Sequence, residues 1–161
     1  MRTISILSLG VFLLSMALVM LASCNKSNSF QESIIEKIDS CYGQCSEIQI
    51  KMTEITDFDW DKMLIFQAQT RRQYVNLALG ISYDGALDLM EGIIFVHNGE
   101  VVFEDTQGIY VDRDARFRFA VNNRIRGRNY AVFTPDNAIL YGRRLYRNNT
   151  VTYILSADPR E

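Results

Sequence analysis

The densest run of chemistry-bearing side chains is the set Arg113, Arg116, Arg118, Arg124, Arg126 and Arg128. A guanidinium is planar, permanently charged and rich in paired N–H donors, so such a set can grip phosphate or carboxylate in a bidentate manner. Arg116 and Arg118 alternate with Phe117 and Phe119. On a strand, that spacing puts the arginines on one face and the rings on the other. If Asn122-Asn123 turns the chain, Arg124 and Arg126 run beside them on the next strand. Arg116, Arg118, Arg124 and Arg126 are therefore the candidate anion-binding residues. The competing reading is a solvated outer face whose charges are met by acids elsewhere in the fold. Charge distribution weighs on its side. The net charge is −2, yet residues 24–112 hold 6 Lys+Arg against 15 Asp+Glu, and residues 113–161 hold 10 Arg against 4 acids. Two segments of opposite sign in one small fold neutralise each other unless the fold groups one sign into a patch.

Cys41 and Cys45 flank Tyr42-Gly43-Gln44. A catalytic redox pair has two residues between its cysteines at a helix start, so this spacing points to a structural disulfide or two plain thiols. Closing so short a loop restrains little chain entropy and is worth at most about 2 kcal/mol. A zinc site lacks ligands, because His97, the single histidine, is far from both cysteines in sequence. Asp57, Asp59 and Asp61 alternate around Phe58 and Trp60. They fail the EF-hand pattern, since Lys62 holds the glycine position and Ala68 the bidentate-acid position. A polar edge with Phe58 and Trp60 packed inward is the better reading. There is no nucleophile elbow, phosphate-cradling glycine loop or His-Glu-x-x-His helix. The sequence thus assigns no catalytic residue, no metal and no cofactor. An envelope hydrolase built on a carboxylate pair that the sequence does not mark is the enzymic alternative.

The elements that must carry these residues are short. Ser29-Phe30-Gln31-Glu32 has the spacing of a capping box, and Ile34, Ile35, Ile38 and Tyr42 share a helical stripe, predicting a helix over 30–41. Ile48, Ile50, Met52 and Ile55 suggest a half-buried strand, and Lys62–Phe66 a second one. Thr70 with Gln73 predicts another helix start, with Tyr74, Leu77 and Ala78 on the packed side and Gly80 just past the end of a helix at 71–79. Asn98-Gly99 lies between two β-favouring runs and demands a type I′ hairpin, which places His97 beside the turn and facing solvent. Pro135-Asp136-Asn137 and Asn148-Asn149 mark further turns. The expected class is α+β: an antiparallel sheet of hairpins with two short helices on one face, in a single domain.

The amino terminus carries the sharpest signal. Arg2 is followed by an uncharged apolar run from Ile4 to Ala22, ending Leu21-Ala22-Ser23-Cys24. That ending resembles the lipobox of bacterial lipoprotein signal peptides. The resemblance covers about the first 24 residues. It implies cleavage before Cys24, acylation of the Cys24 thiol, and an extracytoplasmic domain attached to a membrane by lipid, with no choice made between inner and outer membrane. The alternative for the same run is an uncleaved membrane-spanning anchor. The organisation expected is a signal peptide at 1–23, a polar tether at 24–29 and one α+β domain at 30–161. Thr56–Lys62 and the apolar run after it also resemble a stretch in small uncharacterised exported bacterial proteins, over a dozen residues that carry no function across. Together these features suggest a lipid-anchored, non-catalytic binding or accessory module. Its partner would be an anionic envelope component or a protein, and nucleic acid fits poorly with a negative total and an exported domain. An immunity or inhibitor lipoprotein is a further alternative.

Overall fold

Helix α1 (Phe30–Ser40) begins where the sequence sets its cap. The Ser29 hydroxyl accepts from the Glu32 N–H, and the Glu32 carboxylate accepts from the Ser29 N–H, each at 3.3 Å. Two otherwise orphaned donors are thereby satisfied. The computed structural model describes residues 29–109, 116–121, 128–147 and 149–159. After α1 these form β1 (Ile48–Lys51), a 3-10 turn (Met52–Glu54), β2 (Lys62–Phe66), α2 (Arg72–Leu79), β3 (Met90–His97) and β4 (Glu100–Gly108). Then come β5 (Phe117–Ala120), β6 (Tyr130–Phe133), β7 (Ile139–Arg147) and β8 (Thr150–Ser156).

The strands make two four-stranded sheets, in the orders β1-β7-β8-β5 and β4-β3-β2-β6. Every pairing is antiparallel except β5 with β8, which is parallel. The class is α+β. Two hairpins form where their turns are written: Asn98 and Gly99 hold φ of 52° and 82°, as a type I′ turn needs, and Asn149 holds 62°. The Pro135 turn does otherwise. It passes the chain from β6 in one sheet to β7 in the other, with the Asn137 side chain accepting from the Thr134 N–H at 2.8 Å.

β2 and β3 are buried on both faces, which explains their unbroken apolar runs. Met63, Ile65, Ile93 and Phe95 face the other sheet and meet Ile50, Phe117, Phe119, Leu140 and Leu155. Leu64, Phe66, Ile94 and Val96 face away and meet Val75 and Leu79 of α2, with Tyr83 and Leu87. The helices therefore do not share one face, as the sequence suggested. Ile34, Ile35 and Ile38 place α1 in the inter-sheet core, while α2 covers the back of the second sheet. Gly142 lets α1 come close, since a Cβ there would stand 2.6 Å from Ile38 and 2.7 Å from Ile50.

Two local expectations are corrected. Met52 leaves the strand pattern because its N–H bonds the Ala138 carbonyl and the chain then tightens into the 3-10 turn. In α2 the packed residues are Val75 and Leu79, with Ala78 half-buried beside them as expected, whereas Leu77 is 81% exposed and Tyr74 is 42% exposed. Thr70 caps nothing. Its hydroxyl lies 2.7 Å from the Gln67 carbonyl and 3.0 Å from that of Asn129, and Arg71 occupies the N-cap without a side-chain bond. Gly80 does close α2, at φ 76°.

Candidate functional site

The arginines are dispersed by the fold. Arg118, on β5, grips Glu91 of β3 through Nε at 2.6 Å and Nη2 at 2.9 Å. Arg116 instead stands over the Tyr153 ring, 5.5 Å from its centre. That ring belongs to a second cluster. The Tyr153 hydroxyl donates to Asp39 at 2.8 Å, and Arg144 lies 3.4 Å from Asp39 and 4.2 Å from the centre of the Tyr42 ring. Burial first, and then the bond to Asp39, pushes the Tyr153 hydroxyl above its ordinary range. Arg143 pairs with Glu47 at 3.7 Å. Three ion pairs thus join the basic carboxyl-terminal segment to the acidic amino-terminal one, the neutralisation that the charge distribution suggested. Arg124, Arg126 and Cys24 lie outside the described residues, as does Arg113.

Glu91 is a heavily engaged acid. Besides Arg118 it accepts from Gln107 Nε2 at 2.9 Å and from the Phe119 N–H at 3.1 Å, at 2% exposure. Gln107 also donates to the Phe117 carbonyl at 2.6 Å. Glu91 and Gln107 face each other across β3 and β4. Together they satisfy edge groups of β5 that, among the described residues, no neighbouring strand covers. No local pattern marks this cluster, because its members come from three strands in two sheets.

Other acids are held as firmly. The Tyr83 hydroxyl donates to Glu104 at 2.8 Å, and burial together with that carboxylate raises the hydroxyl far above its ordinary value. Gln31 of α1 donates to both oxygens of Asp105, at 3.2 and 3.0 Å. Asp61 accepts the Asn98 N–H at 2.8 Å and lies 3.9 Å from His97 Nδ1, so His97 sits half-buried against the hairpin rather than fully in solvent. Phe58 and Trp60 pack inward as expected, both edge-on to Phe95, with Trp60 donating to Thr56 at 3.0 Å. Among the described residues no group of three or more His, Cys, Asp or Glu is placed to hold a metal. Cys41 and Cys45 sit with Cα atoms 5.6 Å apart and sulfurs within bonding reach, in the turn that ends α1.

A groove of about 550 Å³ opens between the start of α2 and the start of β6. Arg71 and Arg128 line it, both exposed. Tyr74 and Tyr130 line it as a stacked pair, 6.3 Å between ring centres and 18° between planes. Its wall is stitched in place by Thr70, by the Gln67 N–H bonded to the Asn129 carbonyl at 2.8 Å, and by Asn129 Nδ2 on the Ala68 carbonyl at 3.2 Å. These bonds hold Gln69 at φ 71°, a left-handed conformation uncommon away from glycine. Of these groove residues only Arg128 stood among the sequence's arginine candidates; the tyrosine pair joins residues 56 positions apart. No family model, no curated protein and no solved structure matches the chain.

Proposed function

We propose that the protein is a lipid-anchored extracytoplasmic lipoprotein whose domain is a non-catalytic binding module. One observation carries the anchor: the order of segments along the chain. An uncharged run ends at Leu21-Ala22-Ser23-Cys24, and the cap of α1 follows at Ser29. Acylated at Cys24, the chain would hold its domain within a few residues of the bilayer. Two or three acyl chains, at ~0.8 kcal/mol per buried methylene, give lasting attachment where one alone gives little.

Support for binding over catalysis comes from how the hydrogen-bonded acids are used. Glu91, Glu104 and Asp39 each accept from protein donors that link separate elements. A general acid or base needs a proton path to a substrate, and these carboxylates are occupied instead by the fold. The exposed chemistry is that of recognition: guanidiniums, rings and amides around an open groove.

The test is fatty-acid labelling in a bacterial host with membrane fractionation. The wild-type chain should take up label, lose its first 23 residues and sediment with membranes, and Cys24→Ser should abolish labelling. A mature chain starting elsewhere, or label that survives Cys24→Ser, sinks the proposal.

A further inference from the structure

Most arginines with described side chains are already committed. Arg72 donates to the carbonyls of Tyr83 and Gly85, and Arg118, Arg143 and Arg144 each hold an acid. Arg71 and Arg128 differ. Among the described residues neither has an acidic partner, yet both line one groove that includes no carboxylate. Two unmatched guanidiniums around a shared cavity make a local positive potential, and its complement is an anion.

The rest of the groove narrows the class of anion. Tyr74 and Tyr130 stack with 6.3 Å between ring centres and 18° between planes, and the outward side of the pair is an aromatic platform at the groove. Leu77, 81% exposed, extends that apolar surface. A face of this kind suits a puckered ring with an apolar side, while the guanidiniums suit carboxylates or phosphates borne nearby. The wall pinned by Thr70 and Asn129 is set before any ligand arrives, which lowers the ordering cost of binding.

We propose that this groove binds an acidic polysaccharide, seating a sugar ring on Tyr74 and Tyr130 and holding the chain's carboxylates or phosphates with Arg71 and Arg128. The anion requirement stands on the groove alone. The choice of a glycan over a nucleotide rests on the extracytoplasmic placement proposed above.

The test uses the full chain purified in detergent, titrated by calorimetry with oligogalacturonate, its methyl-esterified form, a phosphomannan oligosaccharide and ATP. At least one acidic glycan should bind, weakening as salt rises. If oligogalacturonate is the ligand, its ester should bind at least tenfold more weakly. Arg71→Gln and Arg128→Gln should each weaken binding by about tenfold, a difference of ~1.4 kcal/mol. Tyr74→Ala should weaken it too, and Lys51→Gln, exposed on another strand, should not. Thermal unfolding of each variant confirms that the fold is kept. Failure of both acidic glycans to bind, indifference to both arginine substitutions, or tighter arginine-dependent binding of ATP would overturn the proposal. Fatty-acid labelling is read on the same chain. Label without glycan binding removes the groove site and keeps the anchor; glycan binding without label does the reverse.

Discussion

The Glu91 carboxylate accepts the backbone N–H of Phe119 at 3.1 Å, so a side chain of one sheet stands where a strand of the other would. Among the described residues β5 pairs on one side only, with β8. An open strand edge is a template for unwanted pairing, and here Glu91 and Gln107 close it. The Arg118 guanidinium then neutralises the charge that this closure buries.

Glu91→Ala should be costly. It would leave the Phe119 N–H unsatisfied and Arg118 without its acid, a loss of about 3 kcal/mol, at the lower end for a broken buried pair because Arg118 keeps some solvent contact. A fall in Tm of roughly 10 °C is expected for a domain of this size. Circular dichroism would follow it. The double variant Glu91→Ala/Arg118→Ala should cost less than the sum of its two singles, as coupled partners do. Strict additivity would show that the two side chains act independently.

Stability should also depend on the protonation of Asp105. Burial raises its carboxyl above the ordinary 3.8, and the Gln31 amide only partly opposes this. The folded chain therefore binds that proton more tightly than the unfolded one. The contribution is complete below about 3.8 and is lost as pH rises through the higher folded value. Denaturant titrations across the acid range should show stability from this group declining with rising pH. Asp105→Asn should flatten that decline. An unchanged profile would mean that Asp105 titrates alike in both states.

The alkaline side follows from the same sign. The Tyr83 hydroxyl, bonded to Glu104, is raised above its ordinary value of 10, so the folded chain keeps a proton that the unfolded chain releases. Stability should fall once pH exceeds about 10. Tyr83→Phe should reduce that fall, at a cost near 1 kcal/mol at neutral pH for the lost hydrogen bond. Tyr153, raised in the same direction, leaves a residual slope. Equal alkaline slopes in the two proteins would argue against the assignment.

Local signals fixed what local bonds decide. The Ser29–Glu32 cap and the Asn98-Gly99 turn formed where their residue types demand, because each is satisfied within four residues. The face of α2 was not legible. In eight residues, a stripe through Tyr74 and Leu77 competes with one through Val75 and Leu79, and the choice belongs to the outward residues of β2 and β3. The parallel β5·β8 pairing was hidden for a similar reason, since no turn joins the two strands. As for the arginines, their spacing showed that a basic segment existed. Which of them meet acids is settled by contacts 27 to 105 residues apart.

Gly142→Ala tests how α1 is seated. The added methyl would overlap Ile38 Cγ1 and Ile50 Cδ1, both buried, so the helix must shift or the side chains must leave their rotamers. Overpacking of this kind costs typically ~1–3 kcal/mol. Ile38→Ala in the same chain should recover part of the loss by removing the colliding Cγ1 branch, although it is itself destabilising in the wild-type background. Chemical denaturation of the four proteins forms the cycle. If Gly142→Ala is neutral, or if Ile38→Ala adds its full cost to it, α1 does not pack on β7 through this contact.

The last test concerns Cys41 and Cys45. Their loop follows α1 and is turned by Gly43 at φ 83°, with the Cys45 N–H bonded to the Cys41 carbonyl at 3.1 Å. Hydrogen bonds and a left-handed glycine already hold this turn, so a covalent link adds little constraint. Purified from an oxidising compartment, the chain should contain the Cys41–Cys45 disulfide, visible by mass spectrometry of peptides before and after reduction. Reduction, or Cys41→Ser with Cys45→Ser, should lower stability by no more than about 2 kcal/mol, since the closed loop is so short. The fold should survive, because Ile34, Ile35 and Ile38 anchor α1 without help from sulfur. A chain that unfolds on reduction would assign the bridge a larger role than its loop length permits, and free thiols in oxidised protein would remove the bridge altogether.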